Sequence, residues 1–159
     1  KLKDLQVETS NGKLSTENLT LDNLDLETTN SKMIINNVDA HSIDAETSNG
    51  KVELSKMTFD DGSFETSNSK MDLQNLEFSE GEFHTSNGKI NLMNLKPAKS
   101  LSLETSNSEV HGTIKGKEED FSTVSKTSNA TSNLTNHEDG SKELEVITSN
   151  GDIEIAFVR

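Results

Sequence analysis

Aliphatic residues recur two positions apart, in short groups held at constant distances from a recurring Asn. Six and four residues before it stand Leu5 and Val7, Leu24 and Leu26, Ile43 and Ala45, Leu101 and Leu103, and Leu144 and Val146. In two units the earlier site is Gly62 or Gly81, with Phe64 or Phe83 at the later one. After the Asn come further pairs, such as Met33 with Ile35 and Val52 with Leu54, and then Val38 with Ala40 and Met57 with Phe59. Spacing by two is the period of a strand, in which alternate side chains face one side, and nothing in the chain repeats at 3.6. Each unit therefore predicts about three short strands separated by corners.

The Asn that anchors this pattern ends Thr-Ser-Asn or, once, Thr-Thr-Asn. It stands at Asn11, Asn30, Asn49, Asn68, Asn87, Asn107, Asn129 and Asn150, with successive spacings of 19, 19, 19, 19, 20, 22 and 21. A fixed period of this length marks a repeat architecture. Every unit has the same order of strand, corner and strand, whereas a meander would alternate direction. Parallel stacking of identical units follows, at roughly 4.8 Å per layer. The predicted fold is all-β: a single parallel β-solenoid of about eight coils, with 19–22 residues per coil and a length of roughly 40 Å.

The corners have their own chemistry. Gly12, Ser31, Gly50, Ser69, Gly88, Ser108, Ala130 and Gly151 follow the Asn residues, which predicts turns that exploit the tolerance of Asn and Gly for positive φ. A second corner is predicted at Asn18, Asn37, Asn75, Asn94 and Asn136. The Thr two before each anchoring Asn shares the parity of the inward aliphatics. The Asn shares it too and is expected to form an interior amide ladder with its equivalents, as stacked amides do in cross-β assemblies. Stacking in sequence order would set each Asn on the next.

Outward columns are also regular. Glu8, Glu27, Glu46, Glu65 and Glu104, with His84 among them, lie three before the Asn; Lys13, Lys32, Lys51, Lys70 and Lys89 lie two after it. Like charges about 5 Å apart repel by roughly 0.8 kcal/mol in water. The two columns flank one corner and are expected to neutralise each other, which makes them a solubility device first and a candidate binding surface second. The pattern weakens over about 112–141, where Thr123, Ser125 and Ser132 replace aliphatics. An irregular terminal coil of this kind is expected to act as a cap.

Composition sharpens the picture. Only 29% of residues are hydrophobic and 4% aromatic, with one Pro and neither Trp, Tyr nor Cys. Such figures suit disorder, but the strict order of the aliphatics instead suits a narrow rod that needs few of them per coil. The net charge of −13 and a single arginine, Arg159, argue against nucleic acid and anionic lipid. No stretch is long and apolar enough to span a membrane. The whole of 1–159 reads as one domain. It begins at Lys1, in mid-pattern and without Met, so an N-terminal portion of the parent chain is expected to precede it.

The repeat Leu-x-Leu-Glu-Thr-Ser-Asn-Gly-Lys-Ile-x-Leu, as around His84 to Leu92, resembles a bacterial adhesin-type domain of unknown function with β-strand repeats. The resemblance covers nearly the whole chain and departs most in the seventh unit. It implies a module of the cell envelope or cell exterior, sometimes attached to a membrane-linked or helical segment, and it carries over no catalytic residue. Catalysis is not expected, because His41, His84, His111 and His137 are scattered and the regular spacing leaves no loops to wall a groove. A polysaccharide-active β-helix is the least favoured alternative. Asp60-Asp61-Gly62 and Glu138-Asp139-Gly140 do not match a calcium loop, and no cofactor or metal is expected. Ice binding is disfavoured, since the Thr column points inward. The expected role is a non-catalytic interaction module with an unknown protein or envelope partner; the alternative is a scaffold that self-associates end to end.

Overall fold

A computed structural model describes residues 2–159. The elements are β1 (Leu2–Thr9), β2 (Leu14–Thr28), β3 (Met33–Thr47), β4 (Val52–Thr66), β5 (Met71–Thr85), β6 (Ile90–Thr105), β7 (Val110–Lys115), a 3-10 turn at Glu118–Asp120, β8 (Phe121–Lys126), β9 (Lys142–Thr148) and β10 (Ile153–Val158). All strand pairs are parallel, so the chain is a β-solenoid. Each long strand bends twice, and its ladder breaks at the bends into three faces. In β3 these are Met33–Asn36 (face 1), Val38–Ala40 (face 2) and Ser42–Thr47 (face 3).

The inward positions of one coil supply the entire core at that level. In β3 they are Met33, Ile35, Val38, Ala40, Ile43 and Ala45, all buried, with buried Thr47 closing face 3. Coils above and below cover each set, so a thin supply of aliphatics is enough. Coils four and five trade size between positions: Phe59, Phe64, Phe78 and Phe83 fill the interior, and Gly62 and Gly81 make room for the rings. Phe78 stacks on Phe59, and Phe83 on Phe64, each at 5.0 Å between centroids. The sole proline, Pro97, lies over Phe78, and a register shift beside it accommodates the extra residue of the 20-residue coil.

Left-handed backbone occurs at the second corner, at Asn18, Asn37, Lys56, Asn75 and Asn94, with φ of 53–58°. Asn136 is not among them; its side chain accepts the backbone N–H of Ser125 at 2.7 Å. The expectation of positive φ at the main corner is wrong, because neither the anchoring Asn nor the residue after it has it. Glycine stands there for closeness instead. A Cβ on Gly50 would lie far inside van der Waals contact with the carbonyl oxygen of Ser31 in the coil below.

The stack does not follow sequence order at its C-terminal end. Face 3 of β6 pairs with β9, not β8, in the register Leu101↔Leu144 and Leu103↔Val146. Likewise β10 lies on β7, with Ile153 on Val110. The seventh unit lies outside the eighth: β8 pairs with the far side of β9, and Ser132 bridges to Ile153. The chain therefore climbs from β7 through the 3-10 turn into layer eight, then returns to fill layer seven with its last unit. The expectation that each Asn would lie on the next in sequence fails at this point. Layer seven, covered on both sides, holds buried Leu144, Val146, Ile153 and Ile155, whereas the outer layer holds Thr123, half-buried Ser125 and exposed Ser132. The segment 112–141 opens on an irregularity in β7, where the register shifts between Leu92↔Gly112 and Leu95↔Ile114 and Gly112 has φ of 143°.

The outer edge of layer eight is covered. Thr123 and His137 exchange both backbone hydrogen bonds, at 2.8 and 3.1 Å, and Ser122 Oγ donates to the Gly140 carbonyl at 2.9 Å. A returning loop thus saturates part of the strand edge that would otherwise template strand addition.

Candidate functional site

The anchoring Asn residues form one continuous amide ladder. Asn30 donates to Asn11, Asn49 to Asn30, Asn68 to Asn49, Asn87 to Asn68 and Asn107 to Asn87, all at 2.8–2.9 Å. It continues in spatial order: Asn150 donates to Asn107 at 2.8 Å and Asn129 to Asn150 at 2.7 Å. The side chains are exposed, so the ladder runs along the outside of the corner and not in the interior. Behind it lie the corner threonines, which point inward as their parity predicts; what the sequence did not show is their hydrogen bonding to the corner backbone. Thr47 Oγ1 accepts from Gly50 N–H at 3.1 Å and Thr66 Oγ1 donates to the Gly50 carbonyl at 3.1 Å; Thr85 and Thr105 do the same around Gly88, at 3.0 and 2.9 Å. Their buried, inward parity was the available signal. These contacts tie neighbouring coils together at the corner.

Lys13, Lys32, Lys51, Lys70 and Lys89 lie on face 1. Four of them find carboxylates on that same face and not in the glutamate column. Lys32 pairs with Glu53 at 2.7 Å, Lys51 with Glu53 and with Asp72 at 2.5 Å, Lys70 with Asp72 at 3.4 Å, and Lys89 with Glu109. Hydrogen bonds donated to Asp72 and Glu53 raise the Lys51 ammonium above its ordinary range. The bonds from Lys32 and Lys51 hold the Glu53 carboxyl below its own. Burial pushes Asp72 up, but hydrogen bonds from Asn91 and Lys51 outweigh it and leave that carboxyl low.

Face 3 is different. Its outward columns carry Asp25 and Glu27, Asp44 and Glu46, Asp61 and Glu65, Glu80 and Glu82, and Glu143 and Glu145 in successive layers, with Glu8 and Glu104 in the first and sixth. No lysine or arginine occupies an outward position of this face in the first seven layers. Glu8, Glu27, Glu46 and Glu65 make no ion pair with any described residue, while Glu104 lies 3.4 Å from His84 Nδ1. The expected neutralisation of the glutamate column by the lysine column is therefore absent, because the corner turns the two columns onto different faces. Partial burial, then the charges of Asp25 and Glu65, raise the Asp44 carboxyl. Partial burial, then Glu65, Glu27 and Asp44, raise Glu46 in the same way.

Face 3 is thus a flat, negatively charged sheet surface on which Glu80 pairs with Lys99 at 3.3 Å and Glu104 lies by His84, while Glu8, Glu27, Glu46 and Glu65 have no ion pair with a described residue; face 1 is an ion-paired lattice. Among the described residues, no group of three or more His, Asp or Glu side chains is placed to hold a metal ion, and no helix is long and apolar enough to cross a membrane. No curated protein and no solved structure matched the chain. The model of the Toastrack DUF4097 family matches residues 1–156, and the chain belongs to that family.

Proposed function

We propose that this solenoid is a non-catalytic interaction module of the bacterial cell envelope, adhesin-like in role, that docks a cationic partner on face 3. One observation carries the reading: the outward columns of that face hold carboxylates in layer after layer with no lysine or arginine among them, although His84 interrupts one column and Lys99 reaches Glu80 from the adjoining bend. A flat, single-sign surface concentrates counter-charged ligands and accelerates their encounter, and it costs self-repulsion in the free protein. A partner bringing lysines or arginines relieves that repulsion. The side chains of face 3 run in parallel columns and do not converge on a point, which suits docking better than catalysis. End-to-end stacking is the weaker alternative, because the returning loop takes up part of the outer edge of β8, at Ser122 and Thr123.

The test measures binding of an oligolysine peptide to two charge-matched variants. Asp44→Asn, Glu46→Gln and Glu65→Gln together remove three charges from face 3. Asp39→Asn, Glu138→Gln and Asp139→Asn remove three elsewhere. At about 0.5 kcal/mol per screened pair, the face 3 variant should bind about tenfold more weakly at low salt. The control should change little. Equal losses in both variants would reduce the effect to net charge and sink the docking surface. Recovery of the full-length parent only in the cytosolic fraction of its cells would sink the envelope assignment.

A further inference from the structure

The two last units of the chain compete for one place, the layer on top of the sixth coil. We infer that the residue after the anchoring Asn decides that competition, and that an alternation of Gly with a Cβ-bearing residue along the corner encodes the order of the coils. In spatial order the corner reads Gly12, Ser31, Gly50, Ser69, Gly88, Ser108, Gly151 and Ala130. The alternation is unbroken. In sequence order it breaks, because Ala130 follows Ser108.

The physical basis is a close approach repeated every second layer. A Cβ on Gly50 would collide with the Ser31 carbonyl, on Gly88 with the Ser69 carbonyl, and on Gly151 with the Ser108 carbonyl. Wherever a coil presents Ser, the coil above must present Gly. Ala130 in the seventh layer would place its methyl against the Ser108 carbonyl oxygen, and the ladder on that face would have to open. Gly151 fits there, and Ala130 then lies on a glycine, as Ser31, Ser69 and Ser108 do.

The corner threonines bond from layer to layer without that period: Thr66 donates to the Gly50 carbonyl and Thr105 to the Gly88 carbonyl, Thr85 donates to the Ser69 carbonyl, and Thr28 Oγ1 has no partner. Thr127, of the seventh unit, donates to the Gly151 carbonyl at 3.4 Å, so the seventh unit takes the position of a coil above a glycine coil. The same chain thus has two conceivable stacks that share six coils and differ in which unit is inside. The unit made last is the one that ends inside, so the seventh must wait for it or give way to it.

The chain lacks cysteine, so introduced thiol pairs can report the order directly. Ser102 lies beside Glu145, and Glu145 beside Val124. Ser102 and Val124 are therefore two layers apart, about 9–10 Å, beyond disulfide reach. With the natural corner, Ser102→Cys paired with Glu145→Cys should oxidise to a crosslink, and Ser102→Cys paired with Val124→Cys should not. Exchanging the corner residues, Gly151→Ala with Ala130→Gly, should move the crosslink to the second pair. A folded exchange variant that crosslinks only through the first pair overturns the inference.

If the exchange variant does not fold, single substitutions decide. Gly12 is in the first coil, and a Cβ there would meet nothing nearer than the Thr9 hydroxyl at 3.0 Å. Gly151→Ala should lower the urea midpoint well beyond Gly12→Ala. Equal midpoints would mean that the close approach does not discriminate, and the code would fall.

Discussion

Coils four and five test whether the core is a sum of independent positions or a set of matched pairs. Phe64 is buried, stacks on Phe83 and lies 5.6 Å from Phe59. Replacing it with Ala should cost about 3–5 kcal/mol, through lost transfer energy and the cavity left behind. Gly62 has the opposite role: a Cβ there would lie 2.7 Å from Phe64 Cε2 and closer still to the Phe59 ring. Gly62→Ile should therefore cost about 1–3 kcal/mol or more by overpacking. Combined, the two substitutions reproduce the Ile43 and Ala45 pair of the coil below, where both residues are buried. The added side chain then occupies the volume that the ring vacated. The double variant should be more stable than the sum of the singles predicts, by about 1–3 kcal/mol of coupling. Recovery is incomplete, because the Phe59 ring still crowds the new side chain and Phe83 loses its stacking partner. With no Trp or Tyr to report, the assay is urea unfolding followed by far-ultraviolet circular dichroism. Additive losses in the double variant would refute size matching as the reason for the glycines.

Three further outcomes follow from the same geometry. Asn68→Ala interrupts the amide ladder at a residue bonded on both sides, at 2.8 and 2.9 Å, and should lower stability by about 1–2 kcal/mol in chemical denaturation. Thr123 faces inward, buried, with no hydrogen-bond partner for its hydroxyl; Thr123→Val should raise thermal stability by about 1 kcal/mol. The two charged faces should respond oppositely to acid. Asp44 and Glu46 titrate higher in the folded state than their ordinary values of 3.8 and 4.5, so their ionisation opposes folding. That penalty is present near neutrality and fades as pH falls through the raised values. Glu53, Asp72 and Asp152 titrate lower when folded; their contribution is present above the ordinary values and lost as pH falls through the lowered ones. Asp44→Asn with Glu46→Gln should raise the melting temperature at pH 7 and flatten the gain seen on mild acidification. An unchanged profile would remove face 3 as the source of that gain.

Strand period, inward positions and the number of coils were legible because each coil repeats the same local problem. Position in the unit determines parity, and parity determines burial, from Met33 to Ile155. The aliphatic pattern held part of the coil order, since Thr123, Ser125 and Ser132 stand opposite Leu144, Val146 and Ile153 and suit an outer layer, but it did not show that the two last units exchange places. The information lay in the small residues after each Asn, whose alternation appears only when Gly151 is placed before Ala130. The pairing of the lysines was hidden for a related reason. Glu53 and Asp72 stand four after their Asn, a column that holds Ser15, Ile34 and Asn91 in other coils, so no acidic repeat marks it. The regular glutamate column drew attention by its repetition, although the corner carries it onto another face. The left-handed corner at Lys56 gave no signal at all, since its equivalents are Asn and only the stack forces a lysine to follow them.

Parallel stacking explains why face 3 is the place to look for a partner. In a globular surface, one substitution changes one point. Here a residue type that recurs once per unit becomes a column, with neighbours roughly 4.8 Å apart. Columns of one sign are costly, and the chain removes that cost on face 1 by placing Glu53, Asp72 and Glu109 beside the lysines. The same device was open to face 3, where outward positions such as Ser42, Ser63 and Ser102 stand between the carboxylates. Lysine at those positions would neutralise the column without touching the core. The face instead keeps hydroxyls there, and Asp44 and Glu46 are held above their ordinary titration range by partial burial and by neighbouring carboxylates, Asp25 and Glu65 at Asp44 and Glu65, Glu27 and Asp44 at Glu46. Stability alone would favour the lysines, so the retained repulsion is the observation on which the proposal of a cationic partner rests.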